Sequence, residues 1–289
     1  MCGICGEVRF DGASPSVAAV SVMADVLAPR GPDSAGVMVR GNVGLGHRRL
    51  RILDLSDKSQ QPMVDPDLGL SMVFNGCIYN FRELRGELEA KGYRFFSDGD
   101  TEVILKAWHA WGPDCVARFH GMFAFVIHER DTGRVVMARD RFGIKPLYLA
   151  EISGAIRFAS SLPAIVKAGG VDTSIDLDAL HNYMTFHAVV PPPRTILKGV
   201  RKLPPATLRV YEPDGRFSDH RYFDPSYLRR PEDAAVSREE WQERLLESLR
   251  LAVKRRMIAD VPVGVLLSGG VDSSLIVGLL AEAGQTGLM

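Results

Sequence analysis

Apolar positions in the first 210 residues recur in short segments that Gly, Pro and Asp interrupt, some with strand spacing and some with helix spacing. Turn residues at 131–133 and 153–154 each separate two apolar runs, as expected for β-hairpins. Helices mixed with antiparallel hairpins favour a layered α+β sandwich over a series of βαβ units. The pattern predicts strands at 7–10, 37–39, 43–45, 70–74, 121–128, 134–139, 147–152 and 155–159, and helices at 17–27, 81–91, 98–111, 162–167 and 178–186.

The pattern changes after this region. Residues 211–235 are rich in Pro, Asp, Gly and Arg and show little periodicity, which is typical of a connector. Ser237 and Glu240 then form an S-x-x-E capping box at the start of a long helix. Its apolar residues recur at every fourth position, which predicts a buried packing stripe formed by Trp241, Leu245, Leu249, Val253 and Met257.

The last part of the chain reads as an apolar strand at 261–267, a Gly-rich loop at 268–274 and an apolar helix at 275–283. This order directs backbone N–H groups and a helix N-terminus at an anion. The loop lacks the Gly-Lys-Ser/Thr of a Walker A motif, and Leu266 stands where a nucleophile elbow needs glycine. Helix capping is the simpler alternative, and we favour phosphate binding because of the strand ahead of the loop.

The organisation that follows is two domains, residues 1–210 and 237–289, joined by a connector at 211–236. A length of 289 residues, 46% hydrophobic and 24% charged, suits such a globular protein. The formal net charge is zero and no basic run stands out, so we expect neither nucleic-acid nor membrane binding. No secretory signal is visible, and four cysteines are too few for a disulfide framework, so a reduced cytoplasm is predicted.

Candidate chemistry begins at the first six residues, MCGICG. If Met1 is removed, Cys2 carries a thiol and a free α-amine, a base that can activate its own thiol. This is the arrangement of N-terminal nucleophile hydrolases. The alternative is that Cys2 and Cys5 form a CxxC metal or redox motif, although the sequence has no second such pair for a four-ligand zinc site.

The order of several short motifs resembles that of the glutamine-dependent asparagine synthetases. These motifs are CGICG, RGPDSAG, HRRLRILDL, NGCIYN, GDTEVIL, GMFAF, ARDRFGIKPLY and SGGVDSS. The resemblance covers nearly the whole chain. It implies a class II glutaminase domain, a four-layer αββα sandwich of the N-terminal nucleophile type. After it comes the beginning of an α/β, Rossmann-like synthetase domain of the adenine-nucleotide-hydrolase type.

The resemblance also implies roles for individual residues. Cys2 would attack the side-chain amide of L-glutamine with its own α-amine as the base, and the Asn75 side chain and Gly76 backbone N–H would stabilise the oxyanion. Arg49 would bind the α-carboxylate of glutamine, and Asp100 would hold its ammonium group. The backbone would complete the pocket at Arg51, Ile52, Leu53 and Cys77.

For the Gly-rich loop, the resemblance implies that ATP phosphates bind there with Mg²⁺ in the full-length enzyme, while the glutaminase half needs no cofactor and no protein metal ligands. The enzyme would adenylylate a carboxylate acceptor, aspartate or a small peptide, and ammonia would then displace AMP. A homodimer is a further expectation. The ATP-binding residues implied are Leu267, Ser268, Gly269, Gly270, Val271, Asp272, Ser273 and Ser274.

Two departures from the family pattern matter. Position 77 is Cys where the family commonly has Glu, which points to the subgroup that amidates N-acetylglutaminylglutamine, although Cys77 can equally be an inert packed thiol. The chain also ends at Met289, one helix past the loop, so we expect a fragment able to hydrolyse glutamine but not to carry out ATP-dependent synthesis.

Two further alternatives stay open at this point. One is another class II amidotransferase, of the glucosamine-phosphate or phosphoribosylamine type, against which SGGVDSS argues. The other is a catalytically inactive module that only binds glutamine.

Overall fold

The computed structural model describes residues 1–228 and 230–284. Within them the chain forms two compact units, Met1–Asp224 and a second that begins at Pro225. The strands of the first unit are β1 (Gly3–Arg9), β2 (Ser34–Arg40), β3 (Val43–Arg49), β4 (Met63–Asp65), β5 (Leu70–Ile78), β6 (Gly121–Glu129), β7 (Val135–Arg139), β8 (Tyr148–Ile152), β9 (Ala155–Ala159), β10 (Arg201–Lys202), β11 (Thr207–Tyr211) and β12 (Phe217–Arg221).

These strands form two six-stranded antiparallel sheets, with the orders β10-β8-β9-β1-β3-β2 and β12-β11-β7-β6-β5-β4. A single apolar cluster joins their inner faces, with Ile4 and Leu45 from the first sheet against Val73 and Val126 from the second. Strands β1, β6 and β7 are buried on both faces, because each sheet has its partner on one side and helices on the other.

Helices pack on the outer face of each sheet. The helices of the first unit are α1 (Val17–Val26), α2 (Phe81–Ala90), α3 (Asp100–Trp111), α4 (Cys115–Arg118), α5 (Leu162–Lys167) and α6 (Leu177–Thr185). Helices α1 and α5 pack on the first sheet around Val20, Met23 and Ile165. Helix α3 contacts β4 and β5 of the second sheet, and α2 packs against α3. The predicted αββα sandwich is therefore confirmed.

The dipeptide Asn75-Gly76 lies inside β5, although Asn-Gly is typical of turns. Gly76 faces Phe123 of β6, and a Cβ added there would lie 2.3 Å from the Met122 carbonyl oxygen. Glycine is required here because two backbones approach closely, and not because φ is positive. Helix α3 likewise differs at its start, since its N-cap is Gly99 without a side-chain hydrogen bond.

Residues 211–236 were predicted to be a connector, yet β12 within them pairs with β11 from Thr207↔Arg221 to Tyr211↔Phe217. This edge strand is exposed along its whole length, so its sequence lacks the apolar alternation by which a half-buried strand is recognised. The first compact unit accordingly extends to Asp224.

The second unit contains α7 (Arg238–Arg256) and α8 (Val271–Glu282). The Ser237 side chain accepts from the Glu240 N–H, as the capping box predicts. Val253 packs with Leu279 and Leu280, whereas Trp241 and Leu245 of the predicted stripe are exposed. Among the residues described, no helix is both long and apolar enough to cross a membrane.

The predicted strand at 261–267 is not formed, since these residues have no regular structure. Leu266 is 94% exposed and Leu267 61% exposed. A buried strand needs a neighbouring strand for its backbone N–H and C=O groups. The described part of the second unit offers α7 and α8 but no such neighbour.

Candidate active site

Cys2 precedes β1 and lies against the end of β3. The Leu50 N–H donates to its Sγ at 3.4 Å, and the thiol faces the Leu50 carbonyl oxygen at 3.6 Å. The Arg30 Nε donates to the Cys2 carbonyl oxygen at 3.1 Å. The thiol is therefore held in place from the strand that also ends in Arg49.

The electrostatics of Cys2 connect it to the two residues proposed to grip a free amino acid. Burial raises the pKa of the thiol above its usual value, and the negative Asp100 raises it further. The Leu50 hydrogen bond, the α-amine of the chain and the positive Arg49 act in the opposite direction. The charges of Arg49 and Asp100 therefore both act on the Cys2 thiol.

Met1 occupies the neighbourhood of this thiol. Its sulfur lies 3.1 Å from the Lys145 Nζ. Burial lowers the pKa of the Met1 α-amine, and Lys145 and Arg30 lower it further. While Met1 is attached, the Cys2 nitrogen belongs to a peptide bond and is no base. The base appears only when Met1 is removed.

Arg49 is 3% exposed and holds the loop that follows β3. Its guanidinium donates to the Ser56 carbonyl oxygen at 2.8 Å, to that of Leu53 at 3.5 Å, and to the Asp54 carbonyl oxygen. The loop includes Ile52, a residue predicted to line the pocket. One side chain thus fixes the backbone proposed to surround glutamine.

Asp54, which the sequence analysis missed, completes this loop. Its carboxylate accepts from the Ser56 and Ser59 hydroxyls and from the Asp98 N–H at 2.9 Å. Burial alone would raise its pKa, but these hydrogen bonds bring it down to about 2. The only sequence signal was an Asp two residues before Ser56, a common side-chain turn.

The Arg51 side chain points away from this loop's interior, to the Leu55 carbonyl oxygen and to Asp57. Its backbone N–H donates to Asp33 at 2.8 Å. The Arg51 side chain is therefore partly exposed, and only its backbone remains a candidate for lining the pocket.

Asp100 is the first residue of α3 and is 5% exposed. Its Oδ2 accepts from the Ile78 N–H at 2.9 Å, which ties it to the end of β5. Burial raises its pKa to about 7 despite this hydrogen bond. Burial raises the pKa of the half-buried Cys77 thiol, and the negative charge of Asp100 raises it further. A carboxylate in this setting gains most from a cationic ligand.

Asn75 is 1% exposed, and its Nδ2 has no hydrogen-bond partner. A buried amide donor without a partner costs free energy, so it is rare unless something binds it. Because β5 carries Asn75, Gly76 and Cys77 in succession and ends beside Asp100, the donor belongs to the same strand end as the carboxylate site.

His47 joins the two halves of the site. It lies on β3 two residues before Arg49, and its Nε2 is 3.2 Å from the carbonyl oxygen of Phe74, the residue before Asn75. Burial lowers its pKa to about 3, so the ring is neutral. Nε2 carries the proton because a carbonyl oxygen can only accept.

The CxxC alternative fails on geometry. Cys5 lies in the core under α1, with its Sγ 3.7 Å from the Val20 carbonyl oxygen. Cys2 instead faces Leu50 at the end of β3. Residues 1–228 and 230–284 contain no group of three metal-ligating side chains.

Only residues 268–270 of the predicted Gly-rich loop are irregular, because helix α8 begins at Val271 and not at residue 275 as predicted. The segment 268–274 belongs to the second unit and is exposed over most of its length. The Ser268 and Ser273 hydroxyls lie 3.1 Å apart, and the Ser274 hydroxyl donates to the Gly270 carbonyl oxygen at 2.9 Å. Gly269 has φ +83°, where glycine is favoured. Gly270 caps α8 without a side-chain bond, so the first N–H groups of the helix face solvent.

A family model described as "Glutamine amidotransferase domain" matches residues 1–223. The chain belongs to this glutamine amidotransferase family. A second model, "Asparagine synthase", matches residues 244–288. The amidotransferase match covers the whole double-sheet unit, including the edge strand β12.

Curated relatives agree with these matches. The chain is 39% identical over 265 residues to glutamine-hydrolyzing asparagine synthetase 1 of Bacillus subtilis, covering 91% of this amidotransferase chain and 40% of the relative. It is 32% identical over 284 residues to asparagine synthetase 3 of the same organism, covering 97% of this chain and 45% of that one. The chain therefore spans less than half of either relative's length.

A solved structure titled as glutamine phosphoribosylpyrophosphate amidotransferase from B. subtilis, complexed with ADP and GMP, aligns with a TM-score of 0.56. The alignment covers 98% of this chain and 64% of that one at 17% sequence identity. At this identity the likeness concerns the fold alone. The relatives found by sequence favour the asparagine synthetases over the phosphoribosylamine type.

Proposed function

We propose that the first unit hydrolyses L-glutamine to glutamate and ammonia, with Cys2 as the nucleophile once Met1 has been removed. The single observation that carries this proposal is a chain of hydrogen bonds between the three segments: the Leu50 N–H donates to the Cys2 Sγ, the neighbouring Arg49 donates to the Asp54 carbonyl oxygen, and the Asp54 carboxylate accepts from the Asp98 N–H, two residues before Asp100. A thiol, a guanidinium and a carboxylate are the three groups needed to attack an amide and to hold both ends of a free amino acid.

In the proposed reaction the α-amine of Cys2 takes the thiol proton, and the sulfur forms a bond to the glutamine amide carbon. The resulting oxyanion accepts hydrogen bonds from the Asn75 Nδ2 and the Gly76 N–H. Collapse of this intermediate returns the proton to the leaving nitrogen and releases ammonia. Water then hydrolyses the thioester, which yields glutamate and the free thiol.

Glutamine itself would be held at its two charged groups. Arg49 would bind the α-carboxylate and Asp100 the ammonium group, with backbone from Arg51 to Leu53 and at Cys77 around the rest. The unpaired Asn75 Nδ2 supports this arrangement, because a buried donor is already in place for the oxyanion. Since Arg49 also donates to loop carbonyls, the carboxylate has to share its guanidinium with residues 53–56.

For the full-length protein, we propose that this ammonia amidates a carboxylate activated by ATP. The match of residues 244–288 to asparagine synthase supports ATP use. The phosphates would bind at residues 267–274, where α8 begins and where Ser268 and Ser274 are exposed and Ser273 is partly buried. The acceptor would be aspartate or, as Cys77 favours, N-acetylglutaminylglutamine. A homodimer and a cytoplasmic location stay predictions.

Magnesium fits this loop only together with ATP. Asp272 is the single carboxylate between residues 267 and 274, and the described residues hold no group of three metal ligands. A Mg²⁺ ion usually keeps several waters and binds through one carboxylate and substrate phosphates. When bound it would neutralise phosphate charge, while the loop N–H groups orient the phosphates.

The first half-reaction can be tested by intact mass before and after treatment with 6-diazo-5-oxo-L-norleucine, an electrophilic glutamine analogue. We expect a chain lacking Met1 that gains one adduct on Cys2, together with ammonia release from glutamine by the untreated protein. Cys115→Ala serves as the control, since that thiol is buried and outside the site.

An unlabelled Cys2 in a chain without Met1 would contradict the nucleophile role. If glutamine still raised the melting temperature of such a chain, the inactive glutamine-binding alternative would be the better description.

A further inference from the structure

Lys145 lies in the loop between β7 and β8, within the ARDRFGIKPLY motif, and has no role in the proposal above. Its backbone is fixed on both sides, because its N–H donates to Asp140 at 2.9 Å and its carbonyl oxygen accepts from the Arg139 Nε at 2.8 Å. The residue is only 3% exposed. The direction of its side chain is therefore set by the fold.

The ammonium of Lys145 points at the amino terminus. Its Nζ lies 3.1 Å from the Met1 sulfur, a weak acceptor, and within the described residues it forms no ion pair with a carboxylate within 4.0 Å. A buried ammonium is costly unless a charge or strong acceptor compensates it. The group that Lys145 contacts is the one that processing removes.

The charges around this point favour a neutral amine. The α-amine of Met1 shows which charges surround the amino terminus before processing: Lys145 and Arg30 lower its pKa, whereas the Cys2 thiol and Asp33 raise it. Lys145 in turn faces Arg30, Asp140 and the Cys2 and Cys77 thiols. The thiol of Cys2 also faces Arg49 and Asp100.

Resting on the glutaminase function proposed above, we propose that Lys145 is a positioning residue whose positive charge keeps the Cys2 α-amine neutral and therefore basic. An α-amine ordinarily has a pKa of about 7.7 to 8.0, so most of it is protonated at pH 7. A protonated amine cannot take the thiol proton. Lys145 contacts the side chain of the residue directly before Cys2, and a fixed cation at this position disfavours a second positive charge on the α-amine that processing leaves.

The test is the pH dependence of kcat/KM for glutamine hydrolysis in Lys145→Met and Lys145→Gln. Loss of the cation leaves the amine easier to protonate, so the acid limb should move to higher pH by about one unit. At pH values below the limb, kcat/KM should fall about tenfold. Lys145→Arg, which keeps the charge, should leave the limb within a few tenths of a unit of wild type.

Lys202→Met is the matched control, since Lys202 is also partly buried but donates to the Val190 carbonyl oxygen at 2.6 Å. It should leave the profile unchanged. A limb at the wild-type position in both neutral variants would overturn the proposal, even with a lower rate, because a purely structural role lowers the rate without moving the limb. The same profile can be followed through the rate of Cys2 alkylation if a variant turns over too slowly.

The two proposals fail in different ways. A wild-type chain that neither hydrolyses glutamine nor gains an adduct at Cys2 would remove the glutaminase function and this role with it. An active wild type with unshifted Lys145 variants would remove this role alone.

Discussion

The two motifs that carry chemistry in this chain have very different surroundings. In the first unit, Cys2, Arg49, Asn75 and Asp100 lie at strand and helix ends of a closed double sheet, and the last three are at most 5% exposed. In the second unit, residues 268–270 join an irregular segment to α8, and Val271, the first residue of that helix, is 84% exposed.

This difference shows that a sequence motif alone does not make a binding site: the fold also has to bury the residues of the motif. In the proposed glutamine site, burial raises the pKa values of Cys2 and Asp100, and the buried Asn75 Nδ2 has no hydrogen-bond partner. The loop 268–274 has the N–H groups of a phosphate site but no buried frame around them. We therefore expect large mutational effects in the first unit and small ligand effects in the second.

The largest effect is expected from Cys2→Ala. Removal of the nucleophile should lower kcat for glutamine hydrolysis by at least about 10³-fold, because the other thiol at the site, Cys77, has no α-amine of its own and has a pKa that burial raises. Asp272→Asn, in the exposed loop of the second unit, should match wild type in the same ammonia-release assay. Comparable losses in both variants would contradict the contrast between the two regions.

Asn75→Ala should separate rate from stability. The loss of one oxyanion donor should reduce kcat by about 10²- to 10³-fold. Because the Asn75 Nδ2 has no partner, its removal should change the free energy of unfolding by no more than about 1 kcal/mol. Urea unfolding and steady-state kinetics measure the two quantities. A large loss of stability with an unchanged kcat would assign Asn75 to packing instead.

Asp100→Asn should show how much the buried carboxylate lowers the free energy of unfolding. The pKa of Asp100 is raised to about 7, so between about pH 4 and pH 7 the folded chain keeps a proton that the unfolded chain releases. The folded state binds more protons in this window, and wild-type stability therefore falls as pH rises through it. The variant lacks this loss, and its amide oxygen can still accept from the Ile78 N–H.

At pH 8 we expect Asp100→Asn to be more stable than wild type by about 2 to 4 kcal/mol, with little difference at pH 4. Urea unfolding at the two pH values measures this. The variant should also bind glutamine poorly, because the ammonium group loses its counter-ion. An equal stability difference at both pH values would mean that the carboxyl group is not titrating in this window.

The smallest effect is expected from nucleotide. Without a strand or a second structural layer beside the loop 268–274, 1 mM MgATP should raise the melting temperature of this chain by less than about 1 °C. For comparison, the ligand effect in the first unit is measured by the stable adduct that the glutamine analogue forms with Cys2. A shift of several degrees with MgATP would show that the exposed loop is already a competent site.

The sequence predicted the parts of this fold that depend on local pattern. Both hairpins, helix α1 and the Ser237 cap follow from apolar spacing and capping chemistry. The edge strand β12 was not predicted, because it is exposed on both faces and its sequence does not alternate between apolar and polar residues. The strand at 261–267 was predicted because its residues are apolar, but apolar residues form a strand only where a neighbour completes the backbone hydrogen bonds.

For the candidate site, too, the local sequence predicts some features and not others. The motifs around Cys2, Arg49, Asn75 and Asp100 were visible as short sequences. Their proximity depends on long-range strand pairing, which no local pattern reveals. Asp54 and Lys145 were not singled out for a role, because a loop-organising carboxylate and a buried ammonium are recognised only by what surrounds them.

The neutral imidazole of His47 has a consequence for the whole catalytic region. It is a spacer of fixed length between the two sheets, with one end on the strand that leads to Arg49 and the other on the residue before Asn75. In the proposed binding mode, Arg49 holds the carboxylate of glutamine and Asn75 donates to the oxyanion, so the length of the amino acid that fits between them depends on this ring.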